Sequence, residues 1–234
     1  ELEEARMAHG HQPTAIPIAL DAVAVYVNRD NPIQGLTLEQ VDAIFSKTRK
    51  RGLQQDITTW GQAGLQDGWE QKPIHLYGRD KRSGTRTFFQ QVALHDGELK
   101  GEVKEEPGSA SEILAIARDP FGIGYAGIGF QASMVRALPL AEAAGKPFVV
   151  PSAKTAADGS YPLRRHLYLY VNKAPKADLE PVILEFLKFV NSREGQETVI
   201  KAGVYPLPAT EVANNFQILT GTAVTSTRIT ATSN

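Results

Sequence analysis

Arg79, Ser83, Gly84 and Thr85 are the residues whose types and spacing could do chemistry in this chain. They sit in one run, Gly78-Arg-Asp-Lys-Arg-Ser-Gly-Thr-Arg-Thr-Phe-Phe89. A guanidinium, two hydroxyls and a glycine amide together form a set of donors with no acceptor of equal strength, which suits a small oxyanion. The flanking segments supply a frame. Pro73-Ile-His-Leu-Tyr77 is short and mostly apolar and reads as a strand, and from Thr85 to Leu94 the residues Phe88, Phe89 and Val92 recur at helical spacing. Ser83 or Thr85 can cap that helix, and Gly84 allows a tight turn. The first amides of a helix lack internal partners and carry partial positive charge, so an anion placed there meets free N–H groups. The competing reading is that Ser-Gly-Thr merely caps a helix while the basic residues are solvated. A Walker A loop is excluded: five residues separate Gly78 from Gly84, and no Lys follows.

Composition narrows the function classes. With 42% hydrophobic residues in 234, the chain can bury a core or two small lobes. Lys and Arg (25) nearly balance Asp and Glu (26), so there is no basic excess for a nucleic-acid surface. The basic run Lys47-Thr-Arg-Lys-Arg-Gly52 reads as a solvated loop. No cysteine is present, which excludes disulfides and thiolate metal sites and fits a bacterial periplasmic protein. His9 and His11 lack a third ligand, so no metal is expected. No apolar run is long enough to span a membrane. No signal peptide is recognisable, and the chain opens on Glu1.

The remaining elements must position the donor run. Residues 1–14 are helix-like, and Ile16–Val27 reads as a buried strand of a parallel sheet. Thr37-x-x-Gln40 is a capping box before a helix carrying Leu38, Val41, Ile44 and Phe45. Trp60 and Trp69 are expected to pin the polar stretch from Lys47 to Gln71 as an ordered loop. Ser109-x-x-Glu112 reads as a second capping box. Gly122-Ile-Gly-Tyr-Ala-Gly127 matches the dinucleotide fingerprint, but a helix and Pro120 stand where that fingerprint needs a strand. A short strand at Ile123–Tyr125 with close-approach glycines is the better reading. Phe130–Ala144 reads as helix, Leu163–Val171 as strand, and Ala177–Val190 and Glu194–Ala202 as helices. The Thr- and Ser-rich tail after Leu219 is expected to be weakly ordered. Alternating strands and helices indicate an α/β fold with parallel sheets.

The run Arg79-x-x-x-Ser83-Gly84-Thr85 followed by an aromatic helix resembles the anion-binding turn of the periplasmic phosphate-binding proteins of ABC transporters. Ile18–Ile33, Leu36–Ser46, Ile123-Gly-Tyr-Ala-Gly127, Tyr161–Asn172, Glu185–Gln196 and Tyr205-Pro-Leu-Pro208 resemble the same family in the same order. The resemblance implies a two-lobe, type II-like periplasmic binding protein fold, with residues 73–160 in one lobe and residues 1–72 and 161–234 in the other. It implies an inorganic phosphate ligand bound between lobes by Arg79, Ser83, Gly84 and Thr85, hinge closure, delivery to a transporter permease, and a periplasmic or extracellular location. It implies no cofactor and no catalysis. Nothing here matches the strands and Gly-Ser/Thr turn with which family members begin. The first lobe is therefore expected to lack roughly 80–100 residues and to be liable to associate through an unpaired edge. The acceptor that separates phosphate from sulfate would lie in that part, so another tetrahedral oxyanion, sulfate or molybdate, stays open. So does a sensor on the same fold. A phosphate-ester enzyme is the third alternative, although no paired carboxylates with metal spacing and no interpretable Ser-His-Asp set are present. His75, His95 and His166 read as structural.

Overall fold

The computed structural model describes residues 2–130, 132–174 and 177–220. The tail after residue 220 lies outside the described residues. In chain order the elements are α1 (Leu2–His9), β1 (Thr14–Asn28), β2 (Leu36–Thr37), α2 (Leu38–Phe45), β3 (His75–Arg79) and α3 (Gly84–Phe88), which runs into a π-helical turn at Phe89–Ala93. Then come β4 (Lys104–Glu106), α4 (Ser109–Ala117), β5 (Gly122–Gly127), β6 (Val135–Ala137), β7 (Leu140–Ala141), α5 (Ala153–Ala157), β8 (Arg164–Val171), α6 (Pro181–Val190), α7 (Arg193–Lys201) and α8 (Ala209–Thr220). No described helix is long and apolar enough to cross a membrane.

The chain divides into two compact units. The larger holds residues 20–165 and 202–205; the smaller holds residues 1–19, 166–201 and 206–234. Within the larger unit, residues 22–63 share one buried apolar core with residues 76–163. In the larger unit the sheet runs β4-β3-β5-β1-β6. β3 is parallel to β4 and β5, whereas β1 is antiparallel to β5 and β6. The sheet is therefore mixed, not parallel throughout. β1 is buried along almost its whole length, which gives a mostly apolar run, broken at Asp21, of the kind parallel strands also show.

The predicted capping box holds: Thr37 Oγ1 accepts from the Gln40 amide at 3.2 Å, and Gln40 Oε1 accepts from the Thr37 amide at 3.0 Å. Trp60 is buried, edge-on to Trp69 at 6.5 Å, and Trp69 meets Phe121 at 5.6 Å, so the polar stretch between residues 47 and 71 is pinned. The Arg51 side chain in the basic run is not solvated. It donates to the Val92 and Ala93 carbonyls at 2.6 and 2.7 Å. Among the described residues, 132–144 do not form the helix expected over 130–144. Pro139 interrupts them, and they make the short strands β6, which edges β1, and β7, which pairs with β2. The helix expected from Ala177 begins at Pro181, whose missing N–H is no loss in a first turn.

The segment 202–205 packs with the larger unit backbone to backbone. Leu20 and Tyr205 exchange N–H···O bonds of 2.9 and 2.8 Å. Gly203 has φ +83°, and a Cβ there would lie 2.9 Å from the Gly129 Cα, so both conformation and space require glycine.

The smaller unit packs Ile16, Leu187 and Leu219 into its own core. Asn215 ties it together, donating to the Pro17 carbonyl at 2.7 Å and to Asn191 Oδ1 at 2.6 Å. Val182, Phe186 and Phe189 on α6 are exposed. His166 bonds Glu211 at 2.9 Å here, and in the larger unit His75 bonds Asp119 at 2.7 Å; both are satisfied side chains.

Candidate functional site

β3 ends at Arg79, and the chain turns at once. Asp80 Oδ1 accepts from the Arg82 amide at 3.0 Å, and the Asp80 carbonyl accepts from the Ser83 amide at 3.2 Å. Ser83, extended at φ −79° and ψ 120°, is the N-cap of α3, with Oγ accepting from the Arg86 amide. Gly84 and Thr85 are the first two helical residues, so their N–H groups have no carbonyl one turn back. The four residues singled out from the sequence thus lie together where a strand passes into a helix. Asp80 pairs with Arg82 at 3.5 Å, a surface ion pair.

Two glycines exchange roles relative to expectation. Gly84 is not needed for the turn: its φ is not positive, and a Cβ there would meet nothing within 4 Å. Gly78 is the constrained one. A Cβ there would fall 2.9 Å from Val103 Cγ1 and 3.0 Å from the Tyr125 hydroxyl. That close approach lets Tyr125 reach the Arg79 amide, which donates to its hydroxyl at 3.4 Å. Tyr125 in turn stacks on Phe89 of the π-helical turn, with ring centroids 3.9 Å apart, and Phe45 meets both rings edge-on. This aromatic cluster fixes α3 against β5 and so sets where the donors point.

Arg79 is held by neutral oxygens. Its Nη1 donates to Ser109 Oγ at 2.8 Å and its Nη2 to the Pro107 carbonyl at 3.2 Å, while Nε is buried without a hydrogen bond. Two nearby cations differ. Arg86 pairs with Glu105 and also donates to the Arg79 carbonyl at 2.9 Å. Arg165, at the start of β8, pairs with Asp21 of β1 at 2.8 Å and lies over the Phe88 ring, 5.2 Å from its centroid. Its Nη2 donates to Thr85 Oγ1 at 3.3 Å. Arg86 and Arg165 spend their charge on carboxylates; Arg79 keeps its own.

The sequence does not single out Arg165 or Asp21, and it offers Ser109 only as a helix cap, not as a partner of Arg79. A charged residue inside the apolar run Ile-Ala-Leu-Asp-Ala-Val-Ala-Val25 was the available signal for Asp21, since a carboxylate in a buried strand needs a partner. The predicted Ser109–Glu112 capping box does not form. Gly108 is the N-cap of α4, Ser111 bonds back to it, and Glu112 is buried with Oε1 accepting the Tyr125 amide at 2.7 Å. The Gly122–Gly127 run is strand β5, the reading preferred over the dinucleotide fingerprint, and Gly124 gives Glu112 its room: a Cβ there would sit 2.7 Å from Glu112 Oε1.

A family model for the PBP superfamily domain matches residues 1–194. The chain belongs to the PBP superfamily. Among relatives of this PBP-superfamily chain, the phosphate-binding protein PstS of Pseudomonas aeruginosa is 47% identical over 209 residues, a match covering 89% of this chain and 65% of that protein. Protein SphX of Synechococcus elongatus is 27% identical over 88% of this chain and 59% of its own length. The chain thus spans less than two thirds of the length of these relatives. Among solved structures, a possible phosphate binding protein from Planctomyces limnophilus superimposes with a TM-score of 0.71 at 23% identity, covering 94% of this chain and 76% of the other. A putative phosphate ABC transporter substrate-binding protein with bound phosphate from Clostridium perfringens gives 0.65 at 23% identity, over 83% and 72%. These superpositions establish the α/β periplasmic-binding-protein fold.

Proposed function

We propose that this PBP-superfamily chain carries the anion-gripping turn of a receptor that binds inorganic phosphate and delivers it to the permease of an ABC importer, outside the cytoplasmic membrane. One observation carries the reading: β3 ends on Arg79, whose guanidinium is held only by neutral oxygens, and the turn that follows at once opens α3 with the Ser83 and Thr85 hydroxyls and the two leading amides. A buried anion needs most of its oxygens satisfied by donors, and these groups are donors. The names of the relatives support phosphate as the anion. Arg79 would meet it as a fork, Ser83 and Thr85 through hydroxyl and amide, and Gly84 through its amide. The role is capture, not turnover. Assignment of residues 1–72 and 161–234 to one lobe of the whole receptor and of residues 73–160 to the other belongs to the proposal too. The exposed apolar face of α6 would let isolated 234-residue chains associate, which sedimentation would show as a concentration-dependent mass.

Isothermal calorimetry on the full-length protein tests the reading, with phosphate as titrant and sulfate and molybdate as competitors. Saturable phosphate binding, weakened about tenfold or more in Arg79→Ala, is the expected result. Tighter binding of sulfate or molybdate would move the assignment to another oxyanion, and chelator-sensitive hydrolysis of a chromogenic phosphate ester would move it to an enzyme.

A further inference from the structure

Glu112 shares full burial with Asp42 among the described acidic residues of the larger unit, and it is the one held beside Arg79 by common partners. It lies in α4 with no exposed surface. One carboxyl oxygen accepts the Tyr125 amide at 2.7 Å; the other, Oε2, is buried without a hydrogen bond. Arg79 Nε is likewise buried and unbonded. The two side chains share a setting. Ser109, which holds Arg79 Nη1, lies three residues before Glu112, on the same face of α4. Tyr125 links them from β5, donating its amide to Glu112 Oε1 and accepting the Arg79 amide on its hydroxyl. A carboxyl and a guanidinium thus share Tyr125 and one face of α4 without forming the direct pair that Asp21 and Arg165 form.

We propose that Glu112 is a positioning residue that controls how much of the Arg79 charge is available to a bound anion. As a neutral acid it leaves the guanidinium uncompensated; as a carboxylate it would draw on the same charge as the anion. The inference rests on the proposed binding of phosphate at the Arg79 turn.

The surroundings favour the neutral form. Burial pushes the Glu112 carboxyl up from its ordinary 4.5 to about 8, against the Tyr125 amide bond and the Arg79 charge, which pull it down, while Glu106 pushes it further up. The charged and titratable groups facing it are accounted for by the elements packed on α4. β3 presents Arg79, β4 presents Glu106 and β5 presents Tyr125, whose phenol is held well above its usual range by burial and by Glu112 itself. Arg136 of β6 is turned away, donating to the Asn31 and Ile33 carbonyls. An anion bound at Arg79 adds negative charge nearby and so favours the protonated acid further. By linkage, anion binding then takes up protons where the free protein has begun to ionise Glu112, at and above about pH 8.

The test compares phosphate affinity of the full-length wild-type protein and Glu112→Gln between pH 6.5 and 9.5. Gln mimics the neutral acid in shape and cannot ionise. Phosphate changes its own charge over this range, but identically for both proteins, so the ratio of affinities isolates Glu112. That ratio, variant over wild type, should rise by about threefold to tenfold across the range. A flat ratio overturns the inference. Should the variant fail to fold, the Glu112 carboxyl-carbon resonance of the wild-type protein decides. It should titrate above pH 7 and move to higher pH at saturating phosphate; titration in the ordinary carboxylate range, or a midpoint unmoved by phosphate, overturns it. A wild-type protein that binds no phosphate at pH 7 removes the proposed function itself, whereas binding with a flat ratio removes only the role of Glu112.

Discussion

Arg79 and Arg165 approach the same turn from opposite strands and are used in opposite ways. Arg165 is closed into an ion pair with buried Asp21, and its remaining contacts, the Thr85 hydroxyl and the Phe88 ring, are local. Arg79 is fixed just as firmly, but by a hydroxyl and a carbonyl, neither of which cancels its charge. A guanidinium presents more N–H donors than either arrangement consumes. The contrast separates a cation that holds the scaffold from one that keeps its field for a ligand. Residue type alone does not distinguish the two; the charge of the partner does.

The comparison fails if the two arginines turn out to be interchangeable. The largest effect is expected at the scaffold pair. Asp21→Ala leaves a mostly buried guanidinium unpaired and should lower stability by about 3 kcal/mol, with Arg165 still partly wet. Chemical denaturation measures it, and a loss no larger than that of Arg79→Ala would break the distinction. Next is Arg79→Ala, which should weaken phosphate binding about tenfold or more, since a charge-assisted hydrogen bond is worth about 1.5–3 kcal/mol. Arg165→Ala causing an equal loss of affinity in a folded protein would place both arginines on the ligand. Gly78→Ala forces a Cβ against Val103 and the Tyr125 hydroxyl and should cost about 1–3 kcal/mol, seen as a lower thermal midpoint. Ser83→Ala removes the cap of α3, for about 1 kcal/mol. The smallest effect is Gly84→Ala. The added methyl meets nothing within 4 Å, so stability should change by less than about 0.5 kcal/mol while phosphate affinity falls, because the methyl occupies space at the donor turn.

What could be read from the sequence was local. The donor turn was legible because strand, polar turn and helix are consecutive, and the Thr37–Gln40 box because its partners are three residues apart. Arg165 was not legible: its partners Asp21 and Thr85 lie 144 and 80 residues away in sequence, and only the sheet brings β1 and β8 together. Local spacing also misled. Ser109 and Glu112 have capping-box spacing, yet Gly108 takes the cap and burial against β5 claims the glutamate. Residues 130–144 are alanine-rich and read as helix, but strand pairing with β1 outweighs that weak preference. The mixed sheet escaped for a related reason, since a fully buried antiparallel strand carries no alternation to mark it.

The backbone seam between Gly203 and Gly129 has a practical consequence. The larger unit is not a continuous stretch of chain: its last piece, residues 202–205, arrives only after the polypeptide has passed through α6 and α7 of the smaller unit. A gene fragment stopping at residue 165 would leave Leu20 without its Tyr205 partner and uncover Gly129, against which Gly203 packs. Domain swaps and chimaeric sensors built from this chain should therefore carry the returning segment along, or graft it onto the new C-terminus.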